Sequence, residues 1–78
     1  MKGTTERVYN FIVAYKTRND GVAPSVRQIR DGCGISSTSV VTYHLSKLEE
    51  KGFIELEEGE SRHIRVVGGR WAKTRRYY

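Results

Sequence analysis

The apolar residues of this 78-residue chain change their spacing once, at Gly52, and that change limits the folds open to it. Before Gly52 they recur at the 3.6-residue period of a helix; after it they alternate at the two-residue period of a strand. Val8, Phe11, Ile12 and Tyr15 stand at i, i+3, i+4 and i+7, which predicts an amphipathic helix from about Thr4 to Asn19. Val41, His44, Leu45 and Leu48 repeat that spacing in a helix running to about Lys51. Phe53-Ile54-Glu55-Leu56-Glu57 and His63-Ile64-Arg65-Val66 then alternate, with Glu58-Gly59-Glu60-Ser61 as the turn of a hairpin. Ile54, Leu56, Ile64 and Val66 should face the helices.

Local signals divide the helical part. Thr4 or Thr5 is expected to cap the first helix and Asp20-Gly21 to end it, since Gly accepts the left-handed conformation common past a helix C-terminus. Pro24 forces Val22-Ala23 to be extended. Ser25, three residues before Gln28, forms a capping-box pattern that opens a short helix with Val26, Ile29 and Cys33 inward. Arg30 should pack its stem and reach outward with its guanidinium. Gly32-Cys33-Gly34 is expected to break this helix into a tight turn leading to Ile35, and Ser36 or Ser37 to cap the third helix. Three helices followed by a two-stranded hairpin make an α+β winged helix-turn-helix over residues 1–67. Residues 68–78 open with Gly68-Gly69 and form a basic aromatic tail in which Trp71, Tyr77 and Tyr78 show no periodicity.

Cys33 has no second cysteine to pair with, and with only His44 and His63 beside it no set of four zinc ligands exists, so neither metal nor cofactor is expected. No apolar run approaches the roughly 20 residues of a membrane span. Met1-Lys2-Gly3 does not open a signal peptide, and an intracellular, cytoplasmic protein of prokaryotic or viral origin is the expectation. No Gly-rich phosphate loop, paired acids or nucleophile beside a base is recognisable, so the chain is not expected to be an enzyme. Fourteen Lys and Arg against nine Asp and Glu give a net charge of +5, which points to a polyanionic partner. The charge is unevenly distributed: Glu49, Glu50, Glu55, Glu57, Glu58 and Glu60 face only Lys51, whereas no acid follows Ser61.

The outer face of the third helix carries Ser36, Ser39, Tyr43 and Ser46, flanked by Ser37, Val40, Thr42 and Lys47. A helix entering a major groove needs a surface that meets base edges without trapping a charge; hydroxyls donate or accept, and apolar groups meet the thymine methyl. A Ser/Thr-rich helix start is also explained by capping and solubility alone. Lacking Arg, Asn and Gln, this face makes no bidentate base contact, so specificity should be modest or lean on DNA shape. Tyr43 either meets a sugar or base edge or packs on a neighbour such as the tail. His44 and Cys33 read as packing residues. Arg27, Lys47, Arg62 and Arg65, with Ser36, are candidate phosphate contacts. Arg70, Lys73, Arg75 and Arg76 would follow the DNA backbone, pair with the acidic hairpin, or meet a second copy.

From the first helix through Val66 or Val67 the sequence resembles the N-terminal DNA-binding domain of the LexA repressor family. Gly21-Val22-Ala23-Pro24-Ser25, Ile29, Gly34, His44-Leu45 and Leu48 carry the resemblance, with Lys51-Gly52-Phe53-Ile54-Glu55-Leu56 and Gly59-Glu60-Ser61-Arg62-His63-Ile64-Arg65. It implies a repressor-like reader of double-stranded DNA, with Ser37, Ser39, Val40, Thr42 and Tyr43 in the family's base-contacting region. The family has Asn and Glu among these positions, so its operator is not carried over. The family's latent Ser-Lys protease domain has no counterpart in these 78 residues, and induction by self-cleavage is not expected. Brevity suggests a phage or other mobile element, and a homodimer on DNA is one expectation. Glu57, Glu58 and Glu60 crowd the wing tip; either Arg62 and Arg65 compensate, or the wing stands clear of DNA and pairs with the tail. A winged helix used as a protein-interaction module, and a tail that stacks on single strands or RNA, are the competing readings.

Overall fold

The computed structural model describes residues 3–57 and 63–67. Over these, α1 (Thr4–Arg18), α2 (Val26–Cys33) and α3 (Thr38–Glu50) precede β1 (Ile54–Glu57) and β2 (His63–Val66). Each helix packs on the other two, β1 lies on α3, and the strands pair antiparallel. The expected turn at Glu58-Gly59-Glu60-Ser61 and the tail from Gly68 lie outside the described residues.

One side of each element supplies the core. Val8 and Ile12 from α1, Ile29 and Cys33 from α2, and Val41, Leu45 and Leu48 from α3 meet Ile54, Ile64 and Val66 of the hairpin. Pairing of Ile54 with Val66 and of Leu56 with Ile64 puts these apolar residues on one face, with Leu56 only half-buried. Glu55 and Arg65, paired between them, fall on the other face and form an ion pair at 3.5 Å. Phe11 and Tyr15, expected on the α1 core stripe, are half-buried and lie against each other with ring centroids 6.1 Å apart.

Phe11 explains a correction to the reading of α2. The helix does not break at Gly32 but runs through Cys33, and a Cβ on Gly32 would lie 2.3 Å from Phe11 Cε1. Gly32 is thus a packing glycine that admits the Phe11 ring. Gly34, with φ 69°, alone makes the left-handed stop.

The other helix ends follow from local chemistry. The Ser25 hydroxyl accepts from Gln28 N–H while the Gln28 side chain accepts from Ser25 N–H, a complete capping box. Ser37, rather than Ser36, caps α3 by accepting from Val40 N–H at 3.4 Å. At the far end Gly52 (φ 83°) donates to Glu49 C=O and Phe53 to Leu48 C=O, the paired bonds of a Schellman motif. Neither Thr4 nor Thr5 caps α1: the cap position is Gly3, which has no side chain to offer. The Thr5 hydroxyl instead lies 2.8 Å from His44 Nδ1, across the α1–α3 contact.

Lys16 is a buried cation that the apolar stripe did not anticipate. Its ammonium donates to Ile64 C=O at 2.7 Å, joining α1 to β2. Burial holds its pKa below the ordinary lysine range, and the Arg65 cation adds to the effect.

Candidate nucleic-acid interface

Burial divides α3 lengthwise. Val41, Leu45 and Leu48 are in the core, whereas Ser39, Val40, Thr42, Tyr43 and Ser46 are exposed. A Ser/Thr-rich sequence folds as helix here because three apolar residues at helical spacing are buried and both ends are closed by local bonds. His44 sits half-buried at the edge of the stripe, where its bond to Thr5 links α3 to α1 beside their apolar contact.

The helix-turn-helix is formed by α2, the turn from Gly34 to Ser37, and α3. Arg7 on α1 supports the turn by donating from Nη1 to Cys33 C=O at 3.0 Å. Arg7 was not singled out in the sequence, and Thr5 was expected only as a cap: each bonds across a separation of 26 or more residues, and no local pattern marks such a partner. Cys33, expected to be packing, is buried, and burial raises its thiol pKa against the opposing pull of the Arg7 cation.

Of the expected base-contacting residues, Ser39, Val40, Thr42 and Tyr43 share the exposed face, Tyr43 being 58% exposed. Ser37 is half-buried and its hydroxyl is engaged as the cap. The Thr42 hydroxyl donates to Ser39 C=O at 2.9 Å. Tyr43 is held rather than loose: its ring meets the His44 ring edge-on at 5.1 Å, and Lys47 Nζ lies 5.6 Å from its centroid.

Of the expected phosphate contacts, Ser36 is exposed in the turn, Arg27 is exposed on the first turn of α2, and Lys47 is half-buried beside Tyr43. Arg65 is exposed on β2 and paired with Glu55, so part of its charge is already answered within the hairpin. Arg62, Arg70, Lys73, Arg75 and Arg76 lie outside the described residues. Among the described residues no group of three or more His, Cys, Asp or Glu could hold a metal ion, and no helix is long and apolar enough to cross a membrane.

Residues 1–63 match the family model of the LexA DNA binding domain. The chain belongs to the LexA DNA-binding domain family. Within it, the LexA repressor of Clostridium botulinum is 43% identical over 60 residues, covering 77% of this chain and 29% of that protein. The LexA repressor of Herpetosiphon aurantiacus is 44% identical over 62 residues, covering 80% and 28%. That of Roseiflexus sp. is 50% identical over 50 residues, covering 64% and 23%. This LexA-type domain therefore spans less than a third of the length of these relatives. Three helices and an antiparallel pair of strands give it the winged helix-turn-helix form expected from the sequence, α3 standing as the second helix of the motif and β1–β2 as the wing.

Proposed function

We propose that the chain binds double-stranded DNA as a transcriptional regulator of the repressor type, with α3 in a major groove. Membership of a DNA-binding domain family, in a chain whose α3 keeps a whole face out of the core, carries this reading. In helix-turn-helix proteins the second helix of the motif offers its N-terminal residues to base edges. Ser37, Ser39, Val40, Thr42 and Tyr43 would lie at the bases. Ser36, Arg27, Lys47, Arg62 and Arg65 would lie at phosphates, which fix register and supply salt-dependent affinity. Repression is supported by the name its relatives carry. The role does not call on catalysis, and a homodimer on two half-sites is the arrangement a palindromic operator would require.

Selection of bound sites from random duplex DNA, followed by binding of the Ser39→Ala/Tyr43→Ala variant, tests the reading. The variant should lose preference for the selected site while keeping its affinity for unrelated duplex, because base contacts carry sequence information and phosphate contacts do not. An equal loss on both, or none, would remove Ser39 and Tyr43 as readers. Failure of the wild-type chain on duplex, single strand and RNA alike would replace the reading with a protein partner. Arg70, Lys73, Arg75 and Arg76 are proposed to track the backbone; deleting residues 70–78 should then reduce the log–log salt slope by up to about 4 with the sequence preference unchanged.

A further inference from the structure

The groups α3 offers to a groove are unusual in kind. Between Ser36 and Ser46 there is no Arg, Lys, Asn, Gln, Asp or Glu, so bidentate hydrogen bonding to a base edge is absent from this stretch. His44, its one ionisable group with ring nitrogens, is half-buried and bonded to Thr5. Thr42 carries a hydroxyl, but that hydroxyl is turned back onto Ser39 C=O, which leaves its methyl as the group free to meet a partner. Val40 is 37% exposed on the first turn, an apolar residue the core does not use. The base-edge feature complementary to an exposed methyl is the thymine C5-methyl in the major groove.

Resting on the duplex-reading role above, we propose that Val40 and Thr42 are specificity determinants that recognise thymine through its C5-methyl group. At about 100° per residue the two stand roughly 160° apart around α3, one on each side of the line from Ser39 to Tyr43. They therefore read thymines of different base pairs. The preferred site carries at least two fixed thymines, each assigned to one side chain.

The test uses the full 78-residue chain. Sites are selected from random duplex, and the preferred site is resynthesised with deoxyuridine at one thymine at a time, which deletes the methyl and keeps every hydrogen-bonding group. Two positions should each weaken binding about fourfold, the worth of one methyl removed from water. Val40→Ala should abolish the sensitivity at one of them and Thr42→Ser, which keeps the hydroxyl, at the other. A loss of affinity without loss of methyl sensitivity is what a merely structural role would give, and it would overturn the assignment. Tight binding to sites indifferent to deoxyuridine would overturn the inference alone. Binding to no duplex at all would overturn it together with the function beneath it.

Discussion

The two elements that a winged helix turns toward its partner, α3 and the hairpin, are held in different ways. Local bonds close α3: the Ser37 hydroxyl accepts from Val40 N–H three residues on, and Gly52 and Phe53 end it by donating to Glu49 and Leu48. Distant contacts hold the hairpin. Ile54, Ile64 and Val66 are buried against helices, Lys16 reaches the carbonyl of Ile64 from 48 residues away, and the Glu49 carboxylate accepts from Leu56 N–H. An element closed locally and buried along one stripe can vary its opposite face without cost to the fold. The hairpin lacks that freedom, because four-residue strands have stability only through what they pack against.

The contrast breaks most visibly at Ile54, which is fully buried where β1 meets α3. Ile54→Ala should cost about 2–5 kcal/mol and lower the melting temperature of the whole domain. Loss of hairpin amide protection in hydrogen exchange with α3 left intact would show the two regions to be even more separate. Gly52→Ala strains the local side, since its positive φ disfavours a side chain; a loss of about 1 kcal/mol in denaturant titration is expected.

A smaller effect, dependent on pH, comes from Lys16. Because folding lowers its pKa, the unfolded chain binds more protons between that lowered value and the ordinary 10.5, and stability contributed by this group rises with pH across the window. Below the window the penalty of burying the cation is present in full. Lys16→Met should flatten the pH dependence of unfolding free energy there, and an unchanged slope would separate the cation from the hairpin's stability. Smallest of all, Ser39→Ala and Tyr43→Ala should each change stability by no more than about 0.5 kcal/mol in the same titration, as expected for exposed residues with no role in the core. A larger loss would mean that the outer face of α3 supports the fold after all.

How much could be read in advance follows the same division. The capping box at Ser25, the stop at Gly52, the buried residues of α3 and the inward face of the hairpin were legible, since each is a pattern of neighbouring residues set by helix or strand period. The exposed face of Ser39, Val40, Thr42 and Tyr43 was legible for the same reason: it is what remains when the core stripe is assigned. Thr5 and Gly32 were misread. By local rules a Thr at a helix start is a cap and a Gly between Asp31 and Cys33 is a breaker, but His44 draws the first hydroxyl across to α3 and the Phe11 ring occupies the space a side chain on the second would need. Lys16 fell outside the apolar stripe of α1 because nothing near it in sequence reveals that a strand carbonyl will come within 2.7 Å.

The sequence by itself determined that there are three helices and two strands, where α3 stops, and most of the residues that face inward, because hydrogen bonding and side-chain period act over a few residues. Only the tertiary structure decided which polar groups are engaged between elements. Thr5 holds His44, Arg7 supports the turn, Lys16 fixes the hairpin, and Arg65 is shared with Glu55. Those pairings depend on distances through space between different elements, and no local energy term encodes them.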